Sequence, residues 1–307
     1  MTFSEEIKQQ AFALGFDACG ICRAEDSGRE AEYMRWLADE CHADMGYLER
    51  NIDKRLDPRL LIEGAKSVIC VALNYYPQRT LPDNVPQFAY YAYGQDYHDV
   101  LRDKLKRLFD FIKQRAPEAE GRYFSDSAPV LERYWAAQSG LGFVGKNSLL
   151  IIPRKGSYFF LGELILNLEL EYDAPLTRSC GKCRRCMDAC PTQAIEAPYR
   201  INAKRCISYQ TIENKGEIDK ELAPCLHNNV YGCDICQKVC PWNRFATPHH
   251  TPEFNPSDEF LSLDADKLLE MNVEDYQRIF KKSPVKRAKF EGLKRNIRTL
   301  DGATGKK

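Results

Sequence analysis

The run CGKCRRCMDACP places Cys180, Cys183, Cys186 and Cys190 ahead of Pro191, the C-x2-C-x2-C-x3-C-P spacing by which thiolates hold 4Fe-4S clusters. Two-residue gaps let three thiolates converge on one cluster from a tight loop, while the fourth, before the proline, turns toward a neighbouring cluster. A second run, YGCDICQKVCPWN, supplies Cys233, Cys236 and Cys240 before Pro241, but Val230 stands where its first cysteine would be. The crossing rule gives Cys180, Cys183 and Cys186 a fourth ligand in Cys240, and it joins Cys190 to Cys233 and Cys236. The second set is then one thiolate short. Cys206, in AKRCISYQTIENKG, and Cys225, in LAPCLHNN, are the candidates, with spacing placing Cys206 only slightly ahead. Zinc is the competing reading of such pairs, although two x3-C-P endings are not a zinc-ribbon signature.

Thirteen cysteines are many for a chain of 307 residues, and nine of them lie between Cys180 and Cys240. In a reducing compartment such usage points to metal or redox chemistry rather than to disulfides. The C-G-I-C pair Cys19 and Cys22 could suggest thiol exchange, yet ALGFDACGICRA reads as a helix end entering an apolar strand, with both cysteines as small core residues. GLGFVG (140–145) satisfies G-x-G-x-x-G, but a helix precedes it and a strand follows, the inverse of a dinucleotide-binding turn. YYAYGQDYHDV (90–100) gathers four tyrosines, Asp96, His98 and Asp99, and FSDSAPVLER adds Asp126 ahead of a helix start marked by Ser127 and Pro129. These two segments read either as a core edge or as part of a functional site.

The elements that would carry these groups fall into two materials. Up to about residue 168, helical and strand patterns alternate: KSVICVALNYY reads as a buried strand, and DVLRDKLKRLFDFIKQR presents Leu101, Leu105, Leu108, Phe109 and Ile112 on one helical face. APVLERYWAAQSG reads as a helix, and NSLLIIP with SYFFLGELILNL reads as a hairpin. This mix predicts an α/β sandwich-like domain. Residues 169–245 have little periodicity and would fold around metal centres. The remainder turns from acidic to basic, with eight Lys or Arg and one acidic residue between Lys281 and Arg298. Overall, 44 basic and 44 acidic residues cancel, so nucleic acid could be attracted only by local clustering. The N-terminus has no export pattern, and Glu163 interrupts the most apolar stretch, so we expect a cytoplasmic protein with no membrane partner.

FSDSAPVLERYWAAQSGLGFVGKNSLLI, CGKCRRCMDACP, NAKRCISYQTIENKG and YGCDICQKVCPWN, in this order, resemble epoxyqueuosine reductases over residues 10–298. The resemblance implies an α+β chain: a nitroreductase-like α/β domain (1–168) binding base-off cobalamin, a ferredoxin-like domain with two 4Fe-4S clusters (169–245), and a helical basic segment (246–307). It implies reduction of epoxyqueuosine to queuosine at the tRNA wobble position, with electrons reaching cobalamin through the clusters from reduced flavodoxin or ferredoxin. By the same resemblance Cys206, not Cys225, completes the second cluster and Asp126 is the proton donor. Cobalamin contacts fall on Tyr97, His98, Asp126, Lys146, Asn147, Ser208, Gln210 and Asp234, and a tRNA contact on Lys215. Longer members carry a C-terminal helical-repeat domain for tRNA that is not expected here, and the basic segment reads either as taking more of that task or as a solvated helix face. A monomer is expected. Three rival readings are a corrinoid reductive dehalogenase, against which the RCISYQTIENKG segment counts, a non-catalytic electron carrier, and a nucleic-acid-binding protein with structural clusters.

Overall fold

A computed structural model describes residues 1–304. Four strands, β1 (Ala18–Arg23), β2 (Ser67–Asn74), β3 (Gly121–Phe124) and β4 (Phe159–Leu166), form an antiparallel sheet in the order β1-β2-β4-β3. Every residue of β2 is buried, as its continuous apolar run predicts for a central strand. The helices α1 (Phe3–Ala13) and α2 (Tyr97–Arg115) cover one face, and α3 (Glu132–Gln138) covers the other.

Local sequence explains these helices. Thr2 and Glu5 form a capping box on α1. The Asp96 side chain accepts from the His98 amide at the start of α2, whose Leu101, Leu105, Leu108 and Ile112 are buried. α3 begins at Glu132, later than Ser127 and Pro129 suggest, so Asp126 lies in a loop and not in a helical first turn. The hairpin also differs from expectation. Phe143–Val144 pairs with Leu150–Ile151, whereas β4 leaves that unit to run between β2 and β3. Two neighbouring strands bury β4 on both sides, which a local hairpin would not.

Alternation along β4 divides its side chains between the two cores. Phe160, Leu164 and Leu166 face α1 and α2, while Leu161 and Ile165 face α3. Glu163, fully buried, has the parity of the second set.

A third core joins segments distant in sequence. It contains Phe88 and Tyr93, Ile207 and Tyr231, and Phe280, Leu293 and Ile297. The short strand Asn229–Tyr231 pairs in parallel with Gln87–Phe88. The last helix, α4 (Lys289–Thr304), is tied to it by Asn296, whose amide donates to the carbonyls of Thr211 and Val230, each at 2.8 Å. Boundaries at 168/169 and 245/246 therefore do not separate independent cores. No helix among the described residues is long and apolar enough to cross a membrane.

Candidate active site and cluster ligands

The two cysteine runs form matching turns of helix, Arg185–Asp188 and Ile235–Lys238, that touch each other. Cys180, Cys183, Cys186 and Cys240 surround one cavity with Asn147 and Trp242. Burial pushes the Cys186 thiol up, and the neighbouring Cys180 and Cys240 add to this. The second group is Cys190, Cys206, Cys233 and Cys236. Burial pushes Cys233 up to about 12, with Cys206 and Cys190 among its charged neighbours, and raises Cys236, which faces Cys233 and Cys206. Each group thus takes one cysteine from the other run. Cys225, in the turn Ala223–Cys225, is not among the charges acting on Cys206, Cys233 or Cys236.

Among the described residues, no three His, Cys, Asp or Glu side chains close on one point as a single metal ion would require. The thiols of the first group instead stand around a cavity, the arrangement of a polynuclear cluster whose irons meet one thiolate each. Burial raises the thiols of Cys186, Cys206, Cys233, Cys236 and Cys240, so giving up their protons needs a positive charge beside them, and this fits a cationic cluster core.

Val230, at the position of the absent cysteine, is fully buried in the third core, on the strand beside Gln87–Phe88. Packing has taken the position. The chain then turns at Gly232, where φ is +68° and a Cβ would lie 2.6 Å from the Ala89 Cβ, so only glycine delivers Cys233 to its group.

Asp126 follows β3 with φ +50°, a left-handed conformation uncommon for a non-glycine residue. Three contacts hold it. Its amide donates to Glu132 Oε1 at 2.5 Å, its Oδ2 accepts from the Tyr97 hydroxyl at 2.5 Å, and His98 Nε2 lies 3.9 Å from the same oxygen. Burial and then the Asp126 charge hold the Tyr97 phenol far above its ordinary range, so it remains a donor. His98 Nδ1 is 2.6 Å from Asp96 Oδ1. Burial pulls the imidazole down, but the bond to Asp96 and the charges of Asp96, Asp126 and Glu132 outweigh it and raise the histidine.

The remaining expected contacts divide into two kinds. Asn147 is buried against the Cys236 carbonyl, 3.5 Å away, and Asp234 accepts from the Tyr90 amide at 2.7 Å. Burial pushes Asp234 up to about 6. Ser208 is partly exposed on the short helix after Cys206. Gln210 and Lys146, by contrast, are consumed internally. The Gln210 amide bonds to Lys204 O and Asn214, and the Lys146 ammonium donates to the carbonyls of Gly181 and Cys183 at 2.7 and 2.9 Å. Both brace cysteine-bearing loops.

Lys215 stands among Arg287, Lys289 and Arg295, and burial followed by these like charges lowers its ammonium despite Glu213 nearby. The basic segment is only partly available. Lys294 donates to the carbonyls of Leu268, Leu269 and Met271, and Arg295 to those of Gln210, Asn214 and Gly216.

Reading the sequence missed Glu132 and Glu163 as members of this site. The signal was present: a charged residue in the middle of a buried strand is rare unless it is paired.

Two family models match the chain. Residues 55–127 match epoxyqueuosine reductase QueG, DUF1730, and residues 179–243 match a 4Fe-4S double cluster binding domain. Two iron–sulfur clusters are thus the metal content of the second region. An epoxyqueuosine reductase of Leadbetterella byssophila is 50% identical over 96% of this chain and 97% of its own, and that of Escherichia coli is 39% identical over 96% and 79%. A crystal structure of selenomethionine-labeled epoxyqueuosine reductase superposes with TM-score 0.88 at 33% identity, covering 96% of this chain and 80% of the other. A Bacillus subtilis epoxyqueuosine reductase whose catalytic aspartate loop is swung out of the active site gives TM-score 0.87, at the same identity and coverage. Similarity at this level over nearly the whole length leaves one assignment: the chain belongs to the epoxyqueuosine reductase family.

Proposed function

We propose that this protein reduces epoxyqueuosine in tRNA to queuosine, using a corrinoid that receives electrons through the two iron–sulfur clusters. The observation that carries the reading is the exchange of cysteines between the two runs, which sets two cluster sites side by side in a chain of this family. A related epoxyqueuosine reductase was crystallised with an epoxyqueuosine-modified tRNA-Tyr stem loop, and it superposes on this chain with TM-score 0.86 at 33% identity.

The corrinoid, when bound, supplies the low-valent metal chemistry that opens the epoxide. Asp234, Asn147, Ser208 and Tyr97 form a set of hydrogen-bonding groups suited to the amide side chains at the edge of such a ring, and they would hold it. Overall, one epoxide, two electrons and two protons become one alkene and one water. Asp126 is the proton donor to the departing oxygen. Tyr97 and His98 hold its carboxyl in place from the side of α2. Electrons enter one at a time from a small reduced carrier, flavodoxin or ferredoxin. Lys215 and Arg287, together with Lys281, Lys282 and Lys289, form the basic surface for the tRNA backbone. The protein acts in the cytoplasm as a monomer.

The test is single-turnover conversion of an epoxyqueuosine stem loop by anaerobically reconstituted protein carrying iron, sulfide and cobalamin. Loss of one oxygen from the nucleoside is expected. Asp126→Asn should slow conversion by roughly 10²–10⁴-fold. No conversion by fully loaded wild-type protein would reject the reading, and full activity of Asp126→Asn would reject the assignment of the donor.

A further inference from the structure

Beneath the Asp126 loop lie two carboxyl groups that no step above uses. Glu163 projects from the centre of β4 toward α3; it is fully buried, and neither of its oxygens has a hydrogen-bond partner. Glu132, the first residue of α3, meets it from above. As two carboxylates the pair would have four acceptor oxygens and no donor of its own, and their charges would repel with Glu163 shut away from water. One shared proton removes the repulsion and supplies a donor, because a protonated Glu163 then donates to Glu132 and one of its two orphaned oxygens acquires a partner.

We propose that the half-buried Glu132 and the fully buried Glu163 form an acid pair joined by a shared proton, and that this pair anchors the loop carrying Asp126. The anchor is the bond from the Asp126 amide to Glu132 Oε1. It fixes a backbone held at positive φ, while Tyr97 fixes the carboxyl from the opposite side. Glu132 and Glu163 are positioning residues that act through Asp126, so the proposal rests on the reading of Asp126 as the proton donor.

The surroundings decide which group keeps the proton. Burial, then Glu132, then the Asp126 and Cys22 charges hold Glu163 protonated well above the ordinary carboxyl range. Burial and then Asp126 push Glu132 up to about 7, against the Asp126 amide bond, the cation of Arg133 and the bond to Glu163. Arg133 is exposed and therefore screened. From the other elements, Cys70 on β2 pairs across the sheet with Glu163, and Tyr97 and His98 on α2 feel the Glu132 charge. Above pH 7 the anchor is an anion accepting the amide; below it, the anchor is a weaker neutral acceptor.

Infrared spectra and amide exchange of the cluster-loaded protein without substrate test this directly. In wild type, a protonated-carboxyl band that is absent from Glu163→Gln should persist well above pH 7, and a second band, absent from Glu132→Gln, should titrate near 7. Glu163→Gln keeps a donor to Glu132 and, like the protonated acid, carries no charge, so its remaining band should still titrate near 7. Glu132→Ala should lower Asp126 amide protection at least tenfold with cluster absorbance intact, whereas Glu132→Gln, which still accepts the amide, should keep most of the protection. In single turnover the wild-type pH profile should show an inflection near 7 that Glu132→Gln lacks. Absence of a protonated-carboxyl band above pH 7, or unchanged Asp126 protection in Glu132→Ala, overturns the proposal. Full activity of Asp126→Asn rejects the donor assignment instead, and the band and exchange results would still report the anchor.

Discussion

The Tyr97 hydroxyl donates to Asp126 Oδ2 at 2.5 Å and ties the first residue of α2 to a loop 29 positions further along the chain. Because burial and the Asp126 charge keep the phenol protonated, this bond holds through the neutral range and orients the carboxyl toward one side of the loop. A hydrogen bond to a charged group contributes about 1.5–3 kcal/mol. Tyr97→Phe should therefore slow single-turnover conversion by about tenfold or more, with cluster absorbance unchanged; a rate equal to wild type would show that Asp126 is oriented without it.

Cys206 and Cys225 separate by geometry where spacing nearly ties them. Cys206→Ala should remove close to half of the bound iron and sulfide and spare the cluster at Cys180, Cys183, Cys186 and Cys240. Cys225→Ala should retain both. Iron analysis with electron paramagnetic resonance of the reduced protein reads the difference, and equal iron loss in the two variants would contradict the grouping.

The basic residues of the C-terminal segment divide by what they already bind. Lys294, buried against three carbonyls, is a structural cation, and Lys294→Ala should destabilise the fold by about 1–3 kcal/mol in denaturant unfolding by leaving those acceptors without a donor. Lys289→Ala should leave stability nearly unchanged, weaken stem-loop binding and reduce the slope of log affinity against log salt by about 1. A salt slope reduced by Lys294→Ala and not by Lys289→Ala would reverse the assignment.

Glu132 also sets a pH dependence of stability. Its folded-state value, about 7, is above the ordinary carboxyl value of 4.5, so the folded state binds more protons than the unfolded chain between these limits. Stability from this group is complete at the acid end of that window and is lost as pH rises toward 7. Thermal melts should show Glu132→Gln gaining on wild type as pH rises from about 4.5 to 7, with the gap constant above; a gap that closes on raising pH would mean that Glu132 is ionised in the folded protein throughout.

Much of the site is legible in the order of the amino acids, for a physical reason. Thiolates that converge on a cluster from one tight loop must be close in sequence, so Cys180, Cys183, Cys186, Cys233 and Cys236 stand out as candidates by spacing, and the x3-C-P endings point to the exchange of Cys190 and Cys240. The strand at 67–74 and the helix at 97–115 are equally plain, because a continuous apolar run and a 3.6-residue stripe are local signals.

What depends on contacts between distant segments is hidden from the sequence. Spacing does not choose firmly between Cys206 and Cys225; the fold brings Cys206 close to Cys233 and Cys236 by packing the helix after it against the strand Asn229–Tyr231. The hairpin reading fails because β4 gains more by lying between β2 and β3 than by pairing with its neighbour in sequence. Lys294 and Arg295 look like free charge until their carbonyl partners, on other elements, are in place. Glu163 looks like an interruption in an apolar run. Sheet alternation turns it toward α3, and only the tertiary structure brings it under Glu132 and the Asp126 loop, because a buried carboxyl takes its meaning from the groups that surround it.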